Sequence, residues 1–448
     1  MKHRLTLLLA ISGLLLLVPA VFGQVVRRAG GESLTVDSKM QMEIIDSISY
    51  ALNEVYVFPD VAKEMEKHIR KQYKDKVYKD IITLDQFVQK LTNDLLEISH
   101  DKHLGVRVVP PEYLNRLQDD TLSDAERLRQ LEQQQYNNFA FKKIELLPGN
   151  VGYLKFDGFN EALHAGGTAI AALNFLAYCD ALIIDLRENG GGSPSMIQLI
   201  TSYFFDEPKH INSFYVRKED SINQFWTQAY VSGPRLSDVD LYILTSSYTF
   251  SAAEEFTYNL KNMERATIVG ETTGGGAHPV DIRIFKNLKV GMSLPFGRAI
   301  NPITGTNWEG TGIEPHIKTT NENAYNAAYL EALKKLYEKA ADDQRKNILS
   351  WHISLLESKI NPYTLDQNAL NEFVGIYGPR KVTFEHGNLY YQRENNPGYK
   401  LIPMAKDKFY IAELDFFQVL FERDETGKID RITGLYDNGR SDSNLKEK

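Results

Sequence analysis

Ser251 stands where a serine could act as a nucleophile. It opens a helical pattern that runs to about Met263, straight after a β-prone run at 241–244 and the polar Thr245-Ser246-Ser247. At that position a hydroxyl lies beside free N–H groups and the positive end of a helix dipole, both suited to a developing oxyanion. The same stretch, Ser251-Ala252-Ala253-Glu254, also spells a capping box, whose work is only to satisfy the helix start. The two roles can coexist.

Three other places have chemical potential. Gly190-Gly191-Gly192 follows the apolar run 181–186 and precedes a helix near Pro194. The loop is neither G-x-G-x-x-G nor a Walker loop and lacks the lysine that phosphate binding requires. It can serve as a tight turn, or bring a bare N–H close to a reacting carbonyl as half of an oxyanion hole. His103 lies at a helix-to-strand junction, with His100 at H-x-x-H spacing. Without H-E-x-x-H, a cysteine partner or a third ligand nearby, that spacing does not make a metal pair, and a histidine in a turn is the common alternative. Glu309 sits between Trp308 and Gly310 in the Gly- and Pro-rich loop 296–316. A carboxylate partly enclosed by a Trp could orient an imidazole, although most loop carboxylates are simply solvated.

The surrounding pattern must position these groups. Ile44, Ile45, Ile48 and Ala51 keep a helical period, as do Phe87, Leu91, Leu95 and Leu96, with a further helix starting at Asp60. These predict an N-terminal helical domain at 36–104 that need not touch the chemistry. A strand and polar linker follows at 105–143. Residues 144–350 alternate strand and helix signals. The continuous apolar run 181–186 reads as a central strand buried on both faces, and 322–345 as a helix that closes the domain. Short alternating segments around Thr383, Tyr390, Leu401, Phe409 and Val419 predict a small antiparallel β-barrel-like domain at 361–442.

Composition excludes several classes. A formal charge of −8 and a pI near 5.8 argue against nucleic acid as a partner. Cys179 is the only cysteine, so no intrachain disulfide forms. Residues 1–23 read as a signal peptide: a basic start, an apolar centre at 7–17, and small residues leading to cleavage after Gly23. Export to a periplasm or the exterior is therefore expected, with no stable membrane anchor after cleavage; an uncleaved anchor is the alternative.

Taken together, the segments resemble the tail-specific (C-terminal-processing) serine peptidase family, in its branch related to tricorn protease and interphotoreceptor retinoid-binding protein. The resemblance spans about 38–330. It rests on Asp101-Lys102-His103-Leu104, the run Asp185 to Gly192, Thr249-Phe250-Ser251-Ala252-Ala253-Glu254, the run Gly270 to Gly275, and the run Trp308 to Pro315. It implies an α/β, ClpP/crotonase-like core of repeated ββα units. The tail-specific branch pairs its serine with a lysine about 25 residues downstream, where this chain has Gly276. The tricorn-like branch uses Ser, His and Glu instead, and Ser251, His103 and Glu309 fall on the matching positions.

The implied chemistry is peptide-bond hydrolysis through an acyl-enzyme. His103 relays the Ser251 proton, Glu309 orients the imidazole directly or through another polar side chain, and the Gly191 and Ala252 N–H groups form the oxyanion hole. Arg187 and Asn189 are expected to brace the loop, and His278 and Arg298 to lie on the surface. The partner implied is a peptide or protein substrate, and no cofactor is required. Two rival readings are a secreted, non-catalytic binding protein for an apolar ligand or peptide on the same scaffold, and a degenerate core whose C-terminal β-module does the binding.

Overall fold

The computed structural model describes residues 34–115, 117–118 and 121–447; the expected signal peptide lies outside them. The chain forms two compact units. Among the described residues, one comprises those up to Glu145 together with Gly152–Ala324, and the other Leu146–Val151 with those from Tyr325 onward.

The first unit is organised by a six-stranded sheet, ordered Ile317–Lys318, Ala266–Gly270, Asp240–Thr245, Ala181–Asp185, Val151–Phe156, Phe141–Leu147. The first four strands pair in parallel, with Asp185 opposite Leu244 and Gly270 opposite Thr245. All five residues of Ala181–Asp185 are buried, as its unbroken apolar run requires of a strand covered on both faces. Helices Ala162–Phe175, Pro194–Thr201 and Ala252–Asn262 pack with this sheet into one hydrophobic core. Because the central strands are parallel, their C-terminal ends share one edge, and the loops 186–193, 246–251 and 271–278 emerge there together.

The N-terminal helices Ser38–Val55, Pro59–Lys74 and Leu84–Ser99 form where the periodicity predicts them. They are capped by Asp37, which accepts from the Met40 N–H, by Pro59 in the first turn, and by Thr83, which accepts from the Gln86 N–H. Their core is not self-contained. It continues through Leu104 and Val106 into Val290, Met292 and Leu294, because strand Gly105–Val108 pairs antiparallel with Val290–Pro295. A second small sheet joins Gly297–Ile300, His210–Val216 and Ser221–Trp226. The polar span after Val109 contains a helix, Asp124–Tyr136, capped by Ser123.

In the second unit two helices, Asn321–Lys339 and Asp343–Ile360, replace the single helix expected at 322–345. From Tyr325 on they belong with the 146–151 turn, where the Tyr329 hydroxyl donates to Pro148 O and Arg345 to Gly149 O. The C-terminal strands form an eight-stranded antiparallel meander from Gly375–Tyr377 to Ser441–Leu445. Its two ends approach closure. The Glu447 N–H donates to Ile376 O at 2.8 Å, and the fully buried Arg380 reaches across to Asp442 and Asn444.

Candidate active site

Ser251 is the N-cap of the Ala252–Asn262 helix and carries a strained backbone, φ +56° and ψ −121°. A non-glycine residue in this region costs on the order of 1–3 kcal/mol and persists only when its surroundings enforce it. Glu254 supplies much of that enforcement. Its fully buried carboxylate accepts from the N–H groups of Ser251 (2.8 Å), Gly276 (2.9 Å) and Gly275 (2.7 Å), and from the Thr273 hydroxyl (2.5 Å). The capping glutamate thus ties the serine turn to the glycine loop twenty residues on. Burial raises the carboxyl above its ordinary range, and these four hydrogen bonds oppose that rise.

The 186–193 loop is sewn to the same turn. Thr249 Oγ1 donates to Leu186 O, Ser246 Oγ to Arg187 O, and the Phe250 N–H to Asn189 O. Arg187 forms a fork onto Asp185 and also donates to Asn321 O. Asn189 donates to Phe156 O, while its Oδ1 accepts the Gly191 N–H at 2.9 Å. Of the two N–H groups assigned to the oxyanion hole, that of Gly191 is therefore engaged by Asn189. Ala252, at the first helical position, has no intrahelical acceptor for its N–H. Gly191 has φ +106°, and a Cβ there would lie 2.8 Å from Ser251 Cβ and 3.0 Å from Ala252 N. Only glycine lets the loop come this close to the serine.

His103 reaches the site from the opposite direction, from the turn after helix Leu84–Ser99. Its ring packs against Phe250, the residue before Ser251, at 4.6 Å between centroids. It is 8 % exposed, and its Nδ1 is buried without a hydrogen-bond partner. Burial pushes the imidazole down to about pKa 4, so the ring is neutral at pH 7. A Cβ on Gly276 would fall 2.7 Å from His103 Cε1 and 2.2 Å from Phe250 Cζ. The absent side chain at 276 is what admits the imidazole. His100 is the exposed, left-handed C-cap of the preceding helix.

Glu309 does not lie on His103. Its Oε2 accepts the Ala277 N–H at 2.5 Å and stands 3.6 Å from His278 Nδ1, while its Oε1 is buried without a partner. His278 is 5 % exposed, where the sequence reading expects a surface residue. Its Nδ1 donates to Asp101 Oδ2 at 2.7 Å, and its ring meets Phe58 edge-on. Asp101, 1 % exposed, also accepts from the Tyr56 hydroxyl (3.2 Å) and, through Oδ1, from the His103 N–H (3.1 Å). A continuous path therefore runs from Glu309 through His278 and Asp101 to the backbone of His103. Burial alone would lower His278, but the Asp101 hydrogen bond and the charges of Asp101 and Glu309 raise it. Burial lifts Glu309 to about 7, with His278 opposing and Asp101 reinforcing.

The N-terminal helices thus touch the chemistry after all, through Tyr56 and Phe58. Asp101 and His278 are the site residues that sequence reasoning underrated. Asp101 was visible in the Asp101-Lys102-His103 motif, but 177 positions separate it from His278 and nothing local announces their pairing. Arg298 is exposed, its guanidinium over the Tyr215 ring.

Two family models cover the region that carries this site. Residues 150–319 match peptidase family S41, and residues 33–144 match the N-terminal domain of Peptidase_S41 in eukaryotic IRBP. The chain belongs to peptidase family S41. Similar solved structures include a putative peptidase from Parabacteroides merdae, 18% identical, covering 66% of this chain and 97% of that one with a TM-score of 0.47. The photosystem II D1 C-terminal processing protease is 16% identical, covering 64% of this chain and 94% of that one with a TM-score of 0.40. Tricorn protease is 11% identical, covering 67% of this chain but 37% of that one, with a TM-score of 0.42. As an S41 member the chain is a peptidase by family. It combines the α/β core with the helical N-terminal region and the near-barrel C-terminal sheet. Among the described residues no helix is long and apolar enough to cross a membrane.

Proposed function

We propose that this S41 member is an exported serine peptidase in which Ser251 attacks the substrate carbonyl and His103 is the base. The observation that carries the reading is the space at Gly276, which His103 Cε1 and Phe250 occupy in place of a side chain. A lysine at position 276 has no room, whereas a neutral imidazole stands against the residue that precedes the serine.

In this reading His103 takes the Ser251 proton as Oγ bonds to the carbonyl carbon, then delivers it to the leaving amine; water repeats the sequence on the acyl-enzyme. The buried imidazole resists protonation, so the imidazolium needs negative charge nearby. Asp101, whose charge raises the His103 imidazole, supplies it, and Glu309 flanks the His278 ring that is bonded to Asp101. The Ala252 N–H meets the oxyanion first. The Gly191 N–H joins when its loop turns it from Asn189 Oδ1 toward the substrate.

Labelling with a fluorophosphonate, read by intact mass, tests the proposal. One adduct is expected on the wild type and none on Ser251→Ala or His103→Ala. Folded wild type that takes no adduct, yet binds an apolar ligand or a peptide, would instead favour the binding-protein reading. Export is tested by N-terminal sequencing of the protein recovered outside the cytoplasm, with Gln24 expected as the first residue.

A further inference from the structure

Asp101, His278 and Glu309 come from three separate segments, and one ligand-type atom of each lies within 4.8 Å of the others. We propose that this cluster binds a divalent cation of the zinc type, and that occupancy switches the peptidase off. The binding half stands on the cluster alone; the switching half rests on the function proposed above.

Two carboxylates around one imidazole make an electron-rich donor set of the kind zinc takes, and the imidazole favours zinc over the hard cations calcium and magnesium. The known separations, 2.7 Å from His278 Nδ1 to Asp101 Oδ2 and 3.6 Å to Glu309 Oε2, bracket the roughly 3.3 Å between ligands at zinc bond lengths of about 2.0–2.1 Å. The ligands are already held from behind, Asp101 by the Tyr56 hydroxyl and Glu309 by the Ala277 N–H, as outer partners of a metal site are.

An unpaired atom within the cluster points the same way. Glu309 Oε1 is buried without a partner. Buried polar atoms seldom go unsatisfied, and a carboxylate oxygen is a metal-ligating type. The cation would replace protons. His278 binds as the neutral ring, its one remaining proton on Nε2 and the Nδ1 lone pair on the ion; any second ring proton, and any proton on Glu309, leaves to solvent. The ion then takes the Asp101 carboxylate that is bonded to the His103 backbone and to His278. Loss of that carboxylate from the proposed proton relay is what stops catalysis.

A second three-residue group, His68, Asp94 and Glu97, provides the contrast. There the Lys90 ammonium already occupies Asp94 as its cation, and the His68 nitrogen stands 4.0 and 3.9 Å from its acidic neighbours.

The test is isothermal titration of full-length Ser251→Ala protein with zinc chloride, in two buffers of different ionisation enthalpy. One ion per chain with proton release is expected. Loss of an outer partner alone costs about 10–100-fold in affinity, so His278→Ala and Glu309→Gln should each weaken binding at least that much. His68→Ala should leave it unchanged. No binding, binding that survives both variants, or binding that His68→Ala removes would overturn the site. On the wild type, zinc should abolish peptide hydrolysis and a chelator restore it; zinc bound without inhibition would overturn the switch alone. Since the titration needs no activity, a protein that proves not to be a peptidase still reports on the cation.

Discussion

Gly276 and His103 fill the same space from two sides: a Cβ on the glycine would lie 2.7 Å from His103 Cε1, closer than carbon atoms approach without a shift. Position 276 therefore decides which base can stand beside Ser251. Gly276→Ala should push the imidazole and the Phe250 ring aside. A displacement of about 1 Å near reacting groups costs on the order of 100-fold, so kcat/KM should fall by about that much while circular dichroism changes little and stability falls by about 1–3 kcal/mol. Unchanged activity would mean His103 is not the base.

Asp101 joins the backbone of His103 to the ring of His278. Asp101→Asn keeps an acceptor for the His103 N–H but removes the charge that supports a buried imidazolium. Kcat should drop on the order of 100- to 1000-fold with KM nearly constant, because the charge matters only when His103 is protonated. His278→Gln should show the same split in milder form. A rise in KM with kcat intact would indicate that the cluster shapes binding rather than proton transfer.

The pH profile follows from His103. Burial lowers the imidazole to about 4, so it stays unprotonated far below the ordinary 6.5. The acid limb of kcat/KM should accordingly lie near pH 4–5, with activity lost as pH falls through it. The same shift adds stability as pH rises from about 4 to 6.5, where the unfolded chain binds the extra proton. By chemical denaturation at pH 4.5 and 7, the stability difference between wild type and His103→Gln should shift in favour of the wild type as pH rises.

Glu255 should behave in the opposite sense. It is 4 % exposed, its Oε1 lacks a partner, and burial lifts it to about 7 from 4.5. The folded form holds its proton more tightly than the unfolded chain, so this contribution is full below pH 4.5 and lost as pH rises through 7. Over that window it amounts to about 3 kcal/mol at most. Glu255→Gln should gain stability relative to wild type between pH 5 and pH 8, measured by urea unfolding.

Glu254 holds the serine turn and the glycine loop with one carboxylate. Glu254→Ala leaves buried donors unpaired at about 1–3 kcal/mol each, so a loss of at least about 3 kcal/mol and of fluorophosphonate labelling is expected. Retained labelling at full stability would show that the Ser251 backbone needs no such tether.

Much of this architecture is local and was therefore readable in one dimension. The apolar run of Ala181–Asp185 dictates a doubly covered strand, the helix after Ser251 carries its own cap, and Gly190-Gly191-Gly192 announces a close backbone approach. Ser251 could be singled out at the start of a helix, His103 at a helix-to-strand junction, and Glu309 beside a Trp in a Gly- and Pro-rich loop. Tertiary structure alone decided their partners. Pairing of Gly105–Val108 with Val290–Pro295 merges the N-terminal helices with distant strands and brings Tyr56, Phe58 and Asp101 to His278. Periodicity records which face of an element is apolar, not which distant segment will cover it. For that reason Glu309 came to rest on His278 rather than on His103, and the Gly191 N–H on Asn189.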